Sequence, residues 1–221
     1  MIKSETFQFL KDLKANNNRD WFTENKPRYQ EAHQNVIDFF DTLIDEMKKV
    51  DNIANESGKK SLLRIYRDVR FSKDKTPYAP RLSGSLKRAT KWLRGGYYVH
   101  LEPGNVFLGV GFWAPESADL KIIREELAHD AQPLRNILAD PDFKAIWGEL
   151  RGEQVKSAPK GYSKDHPNID LLRFKGFTFM KNFSDSEALS EDFLFEIVMS
   201  FLAVRPFFDY MSEVLTRHIE V

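Results

Sequence analysis

The sequence predicts an α+β fold: a mostly antiparallel sheet with N-terminal, middle and C-terminal helices packed on it. Three features carry that expectation. Apolar residues recur at three- and four-residue spacings from Tyr29 to Val50, which requires a long helix. Two alternating runs flank Pro103-Gly104-Asn105, which requires a hairpin. Helical patterns then precede and follow the strands in an order that layers helices over a sheet. At 221 residues with no low-complexity linker, a single domain spanning 1–221 is expected.

In chain order, Ser4 is placed to cap a first helix with a stripe of Phe7, Leu10 and Leu13, ending at Asn16-Asn17-Asn18. Asp20 caps a short turn carrying Trp21 and Phe22. Pro27 opens the long helix, where Tyr29, Val36, Phe40, Leu43, Met47 and Val50 share one side up to Asp51. Gly58 breaks the chain before residues 63–71, read as a strand because β-branched and aromatic residues suit a half-buried pleated surface. A helical stripe of Leu62, Ile65, Tyr66 and Val69 competes, and periodicity alone does not separate the two. In the hairpin, Tyr98, His100 and Glu102 share one face and Tyr97, Val99 and Leu101 the other. Helices follow from Ser117 through Leu127, around Leu134 to Leu138, and near Phe143 to Trp147. Residues 154–157 read as a strand, 159–168 as a loop, 169–173 as a short helix and 177–182 as a strand. A Phe- and Leu-rich helix starts at Ser190, is interrupted near Pro206 and resumes through Met211 and Leu215.

Composition narrows the chemistry. The chain has no cysteine, which excludes disulfides, thiolate metal sites and cysteine nucleophiles. Apolar residues at 42% and 18 phenylalanines supply a packed core. The N-terminus lacks a signal-peptide layout and no stretch approaches the ~20 apolar residues of a spanning helix, so a soluble, cytoplasmic protein without a membrane partner is expected. No oligomeric state follows. His33, His100, His129, His166 and His218 show no i, i+4 pairing, so no metal site is expected, and no motif names a cofactor. Gly109 and Gly111 fall inside a strand, where close packing against a Phe or Trp explains them better than dinucleotide binding. Ser83-Gly84-Ser85 lacks the spacing of a nucleophile elbow.

Net charge is zero, yet residues 59–94 hold twelve Lys or Arg against Asp68 and Asp74, a local excess of +10. Its densest part runs from Arg64 to Tyr78. As a strand it places Leu63, Ile65, Val69 and Phe71 on one face around Arg67, and Arg64, Tyr66, Asp68 and Arg70 on the other, with Asp68 in reach of Arg70 or of an Arg on a paired strand. A guanidinium on an apolar face needs a partner: a ligand anion, or a carboxylate such as those of the acidic helix upstream. After Phe71, Lys73, Asp74 and Lys75 form an ordered loop held by Pro77, without the glycines of a phosphate-cradling loop.

The motif Arg64-x-Tyr66-Arg67-Asp68-x-Arg70-Phe71-Ser72-Lys73-Asp74-Lys75-x-Pro77-Tyr78 resembles the signature of the DUF2461 family. Trp21-Phe22 with Asn25-Lys26 and Tyr29, the hairpin, Gly161-Tyr162 with Asp165-His166-Pro167, and Leu171-Leu172-Arg173 also resemble that family, so the likeness covers most of the chain. Ala79 departs from it, standing where a lysine usually follows the Pro-Tyr pair. The resemblance implies a shared fold and a shared surface and carries over no catalytic residue.

Four functional readings remain open on the residues. Best supported physically is a site for a phosphate- or carboxylate-bearing ligand made by Arg64, Tyr66, Arg67, Asp68, Arg70, Lys73, Lys75, Tyr78, Tyr98 and Arg173, with His100 and His166 nearby. Nucleic acid is a second candidate partner, since Lys87, Arg88, Lys91, Trp92, Arg94, Tyr97 and Tyr98 interleave cations with rings. A third reading is a hydrolase or group-transfer enzyme using Asp68, His100, His166 or Tyr78 beside the arginines. In the fourth, an interaction or structural protein, the arginines form internal salt bridges.

Overall fold

The computed structural model describes residues 1–219. The last two residues of the predicted domain span lie outside them. The N-terminal helices are α1 (Ser4–Ala15), α2 (Arg19–Glu24), α3 (Lys26–Lys48) and the single turn α4 (Gly58–Ser61). Then come β1 (Leu82–Lys87), β2 (Gly96–Leu101) and β3 (Val106–Phe112), and the helices α5 (Ser117–His129), α6 (Gln132–Ala139), α7 (Pro141–Trp147) and α8 (Ile169–Leu172). The chain finishes with β4 (Phe177–Phe183), α9 (Asp185–Ala188), α10 (Phe193–Ala203) and α11 (Arg205–Thr216). The strands form one antiparallel sheet in the order β1-β2-β3-β4, so the predicted α+β class holds. Among the described residues, no helix is long and apolar enough to cross a membrane.

The chain divides into two compact units. The first comprises Met1–Lys87, Tyr98–Leu108 and Asn182–Val198. Its core is the stripe expected for the long helix, with Val36, Phe40, Leu43 and Met47 of α3 against Phe7, Leu10 and Leu13 of α1, all buried. Phe193 joins it by stacking on Phe39 at 5.8 Å.

The second unit comprises Arg88–Tyr97, Gly109–Lys181 and Met199–Val221. Tyr97 packs on Phe201 and Phe208 with ring centroids 4.6 and 5.2 Å apart, and Phe179 touches Phe143 and Phe207 at 5.0 and 5.1 Å. Here one cation of the interleaved basic run turns inward. The Arg88 guanidinium is fully buried, donating to Asp209 at 3.0 Å and to the Arg94 carbonyl at 3.1 Å over the Phe208 ring, while Arg94 pairs with Asp119. Lys91 lies over Trp92. One cation and one ring of the predicted nucleic-acid pattern, Arg88 and Tyr97, are thus core components, and a second cation, the half-buried Arg94, is paired within the protein.

Several local expectations change. Asn18, not Asp20, caps α2, because its side chain accepts from the Trp21 N–H. Ser4 and Ser117 are first helical residues and not caps, and α10 begins at Phe193 after a capping box of Ser184 and Glu187 has already started α9. The predicted 154–157 strand reduces to isolated bridges, Arg151 with Thr178 and Gln154 with Phe174. Conversely, β1 carries no clear alternation in sequence, yet Leu82 and Leu86 are buried and it forms the sheet edge.

The largest correction concerns residues 63–71, which are not a strand. Only two isolated bridges involve this region, Leu62 with Gly84 and Tyr66 with Tyr78. The chain instead folds back on itself: Arg67 N–H donates to the Pro77 carbonyl at 2.9 Å and Ala79 N–H to the Ile65 carbonyl at 2.8 Å. Between these stems, side chains replace the ladder. Asp68 accepts from the Arg70 N–H and Asp74 from the Thr76 N–H, and Pro77 has no N–H to give. Ile65 is buried as expected of the apolar face, but Leu63 is exposed and Phe71 almost wholly so, at 97%.

Candidate functional site

The basic loop neutralises much of its own charge. Arg67 Nη1 donates to Asp74 Oδ2 at 2.5 Å, to the Thr76 carbonyl at 3.1 Å and to the Thr76 hydroxyl, so its partner comes from its own loop and not from the helix upstream. Arg70 forks onto Asp68 through Nε and Nη2 at 3.0 and 2.7 Å, the pairing that the sequence put within reach. Lys75 Nζ donates to the Val69 carbonyl at 3.0 Å. Arg64 and Lys73 are exposed and have no partner among the described residues.

Asp74 clamps this loop. The Thr76 N–H, the Arg67 guanidinium and the Thr76 hydroxyl hold its carboxyl down at about 2, from an ordinary 3.8. The depressed value means the ionised form is favoured by the fold, so the clamp is complete above the ordinary value and is lost as pH falls through about 2. Hydrogen-exchange protection of the Arg67 and Thr76 amides is expected to fall across that window, and to be low already at neutral pH in Asp74→Asn. Equal protection in the variant would show that the carboxylate does not hold the loop.

The signature tyrosines converge where its arginines do not. Phe22 of α2 is buried and stacks on Tyr78 at 4.0 Å and 14°. Tyr29 of α3 lies 5.1 Å from the same ring, and Tyr66 meets it edge-on at 6.0 Å and Tyr78 at 5.4 Å. Asn17 fixes the Tyr78 main chain from both sides, accepting from its N–H at 3.1 Å and donating to its carbonyl at 2.8 Å. The stem bridge places Tyr66 opposite it. None of the phenol hydroxyls of Tyr29, Tyr66 and Tyr78 has a hydrogen-bond partner among the described residues. Burial first, and then Tyr66, raises the phenol pKa of Tyr29 and of Tyr78, so both stay O–H donors at neutral pH. The positive charge of Arg19 acts on Tyr78 in the opposite sense. His33 stacks on Tyr29 at 5.3 Å and is kept neutral by burial and by Lys59.

A second polar array lies on the predicted hairpin face. Arg81, at the entry to β1, donates from Nη1 to the Tyr98 hydroxyl at 3.0 Å and to Ser83 Oγ at 2.6 Å. Tyr98 Oη lies 2.9 Å from His100 Nδ1, and His100 Nε2 lies 3.3 Å from Glu102 Oε2. Lys14 and Asn105 donate to the same carboxylate, and Phe107 stacks flat on the imidazole at 4.4 Å. The alternation of 98, 100 and 102 predicted this face. Arg81 was missed because β1 was missed: across the sheet edge it is a neighbour of Tyr98, 17 positions away in sequence. Arg19 was missed because no local pattern marks it.

His166 and Arg173 belong to the second unit and serve its main chain. His166 Nδ1 accepts from the Asn168 N–H at 3.1 Å, and Arg173 donates to the Val155 and Lys156 carbonyls at 2.9 and 3.2 Å. A groove of about 600 Å³ between α1 and α3 contains none of the predicted site residues; it is lined by Lys3, Thr6, Arg28 and Glu31, and Arg28 is already paired with Asp12 at 2.6 Å.

A family model described as a conserved hypothetical protein, DUF2461, matches residues 5–210. The chain belongs to the DUF2461 family. The DUF2461 match takes in every residue of the tyrosine cluster and of the hairpin array. No curated protein and no solved structure is matched by the chain. DUF2461 membership names no chemistry, so any chemistry has to be argued from the side chains themselves.

Proposed function

We propose that this protein binds a small ligand bearing a phosphate or carboxylate group at the cluster of Tyr29, Tyr66 and Tyr78, with Arg19 and Arg64 supplying positive charge. The observation that carries this reading is the convergence of three phenol hydroxyls without protein partners among the described residues on one ring, Phe22, with the positive charge of Arg19 acting at Tyr78. Hydroxyl donors and a guanidinium complement an anion, and the Tyr66 ring, 60% exposed, offers a face for an apolar or aromatic body. A small ligand is favoured over nucleic acid because Arg88 and Arg94 are spent on Asp209 and Asp119. The signature arginines then divide by role. Arg67 and Arg70 shape the loop, and Arg64 is available to a ligand.

Thermal denaturation in the presence of phosphate, nucleoside monophosphates, sugar phosphates and dicarboxylates tests this. A ligand at a hundredfold excess over its Kd stabilises the native state by about 2.7 kcal/mol, a readily measured rise in midpoint. Tyr66→Phe and Arg19→Met are expected to lose most of that rise. Arg67→Met is expected to lower the ligand-free midpoint and keep the rise. If no such anion shifts the midpoint, or if Tyr66→Phe and Arg19→Met respond like the native chain, the cluster is not the binding site.

A further inference from the structure

We infer that Tyr98 is a nucleophile for phosphoryl transfer, with His100 as its base, Glu102 as the residue that positions the base, and Arg81 as the group that receives the transferred anion. This site shares no residue with the tyrosine cluster, and the inference does not depend on that cluster. The direction of the hydrogen bonds follows from one fact: an ionised carboxylate only accepts. His100 Nε2 must therefore carry the ring proton and donate to Glu102, which leaves Nδ1 of the neutral imidazole as an acceptor. The Tyr98 hydroxyl donates to that nitrogen while its oxygen accepts from Arg81 Nη1. The chain of bonds Arg81→Tyr98→His100→Glu102 thus has a single polarity that puts the phenol proton on the path to a neutral imidazole.

The arrangement meets the general requirement for an activated nucleophile, a base in hydrogen-bond reach whose far side is held by a third group. The imidazole side chain is 9% exposed and the Glu102 carboxylate 18%, so both work in a partly desolvated site. Burial favours the uncharged imidazole, as does Arg81, against the pull of Glu102. Two features go beyond what a structural ladder needs. The guanidinium lies against the oxygen that would become a phenolate, where it stabilises negative charge. It also commits only Nη1 to the protein, leaving Nε and Nη2 without partners among the described residues and free to fork onto phosphoryl oxygens beside the phenol.

In the proposed step Tyr98 Oη attacks the phosphorus of a phosphomonoester and forms an O–P bond while the bond to the leaving oxygen breaks. The phenol proton passes to His100 Nδ1, and the resulting imidazolium, held by Glu102, returns it to the leaving oxygen. Water, giving its proton to the same nitrogen, then cleaves the phosphotyrosine and restores the phenol. The balance is ester plus water to alcohol plus phosphate.

The probe is p-nitrophenyl phosphate with the full chain. The expected results are release of p-nitrophenolate and a phosphate adduct on the Tyr98 peptide, detected by mass spectrometry after a rapid quench. Tyr98→Phe keeps the ring contacts and is expected to abolish both. His100→Gln and Arg81→Met are each expected to slow release by roughly a hundredfold or more. The groups facing His100 are Tyr98, Arg81 and Glu102, with Lys14 of α1 behind the carboxylate. The rate should therefore rise as His100 deprotonates, and in Glu102→Gln that limb should move to lower pH, since the carboxylate is what pulls the imidazole up. Thermal melts confirm that each variant is folded. A native chain that forms no adduct at Tyr98, or a folded Tyr98→Phe chain that turns over as fast, overturns the assignment. Neither result bears on ligand binding read through Tyr66 and Arg19.

Discussion

Gly111→Ala is expected to destabilise the protein by about 4 kcal/mol or more. Gly111 lies in β3 at φ +121°, a backbone conformation closed to side chains with a Cβ, and an added methyl would sit 2.1 Å from the Phe177 carbonyl oxygen and 2.9 Å from the Thr178 Cα of β4. Both neighbours are main chain in a sheet, so neither rotates away, and relief requires β4 to leave its register. Gly104 provides the comparison. It has φ +79° in the hairpin loop with nothing within 4 Å of the added methyl, so Gly104→Ala carries only the left-handed backbone term of about 1–2 kcal/mol. Urea denaturation of both variants checks the difference, and a Gly111→Ala cost no larger than that of Gly104→Ala would mean that β3 and β4 are not in such close contact. The sequence expectation of packing at Gly111 in place of a dinucleotide site agrees with this geometry, although the close neighbour is the Phe177 main chain and not an aromatic ring.

Phe22→Ala is expected to cost about 3–5 kcal/mol and to remove the ligand response together with it. Phe22 is 4% exposed and is the ring on which Tyr78 stacks, with Tyr29, Tyr66 and Phe9 around it. Removing it leaves a cavity under all the phenols at once, so their hydroxyls lose their common orientation. Phe22→Leu refills most of that volume without a flat face, and should recover stability to within about 1.5 kcal/mol of the native chain while recovering little binding. Urea denaturation gives the first quantity and the ligand-induced thermal shift the second. Full binding in Phe22→Leu would show that stacking does not orient the hydroxyls.

The parts of the fold that could be read from the chain are those set by a local repeat. α3 follows from apolar residues every three or four positions, and the β2–β3 hairpin from alternation around Pro103-Gly104-Asn105. The basic segment misled for the same reason. Its apolar and charged residues alternate as a strand would, but a strand also needs a neighbour with free N–H and C=O groups, and here Asp68, Asp74 and Thr76 bond the loop to itself.

By itself the sequence determined the α+β class, the membership in a family through its signature and the face shared by Tyr98, His100 and Glu102, and it put Arg70 among the partners in reach of Asp68, since each rests on residues a few positions apart. Only the tertiary structure decided that Arg67 belongs to Asp74, that Arg88 is buried against Asp209, that Arg81 meets Tyr98, and that Tyr29, Tyr66 and Tyr78 gather over Phe22. The physical reason is that periodicity states which way a side chain faces and says nothing of what it will face. A charge or a phenol acquires its chemistry from the partner it meets or lacks, and for Arg88, Arg81 and the tyrosines that partner is supplied by a distant part of the chain.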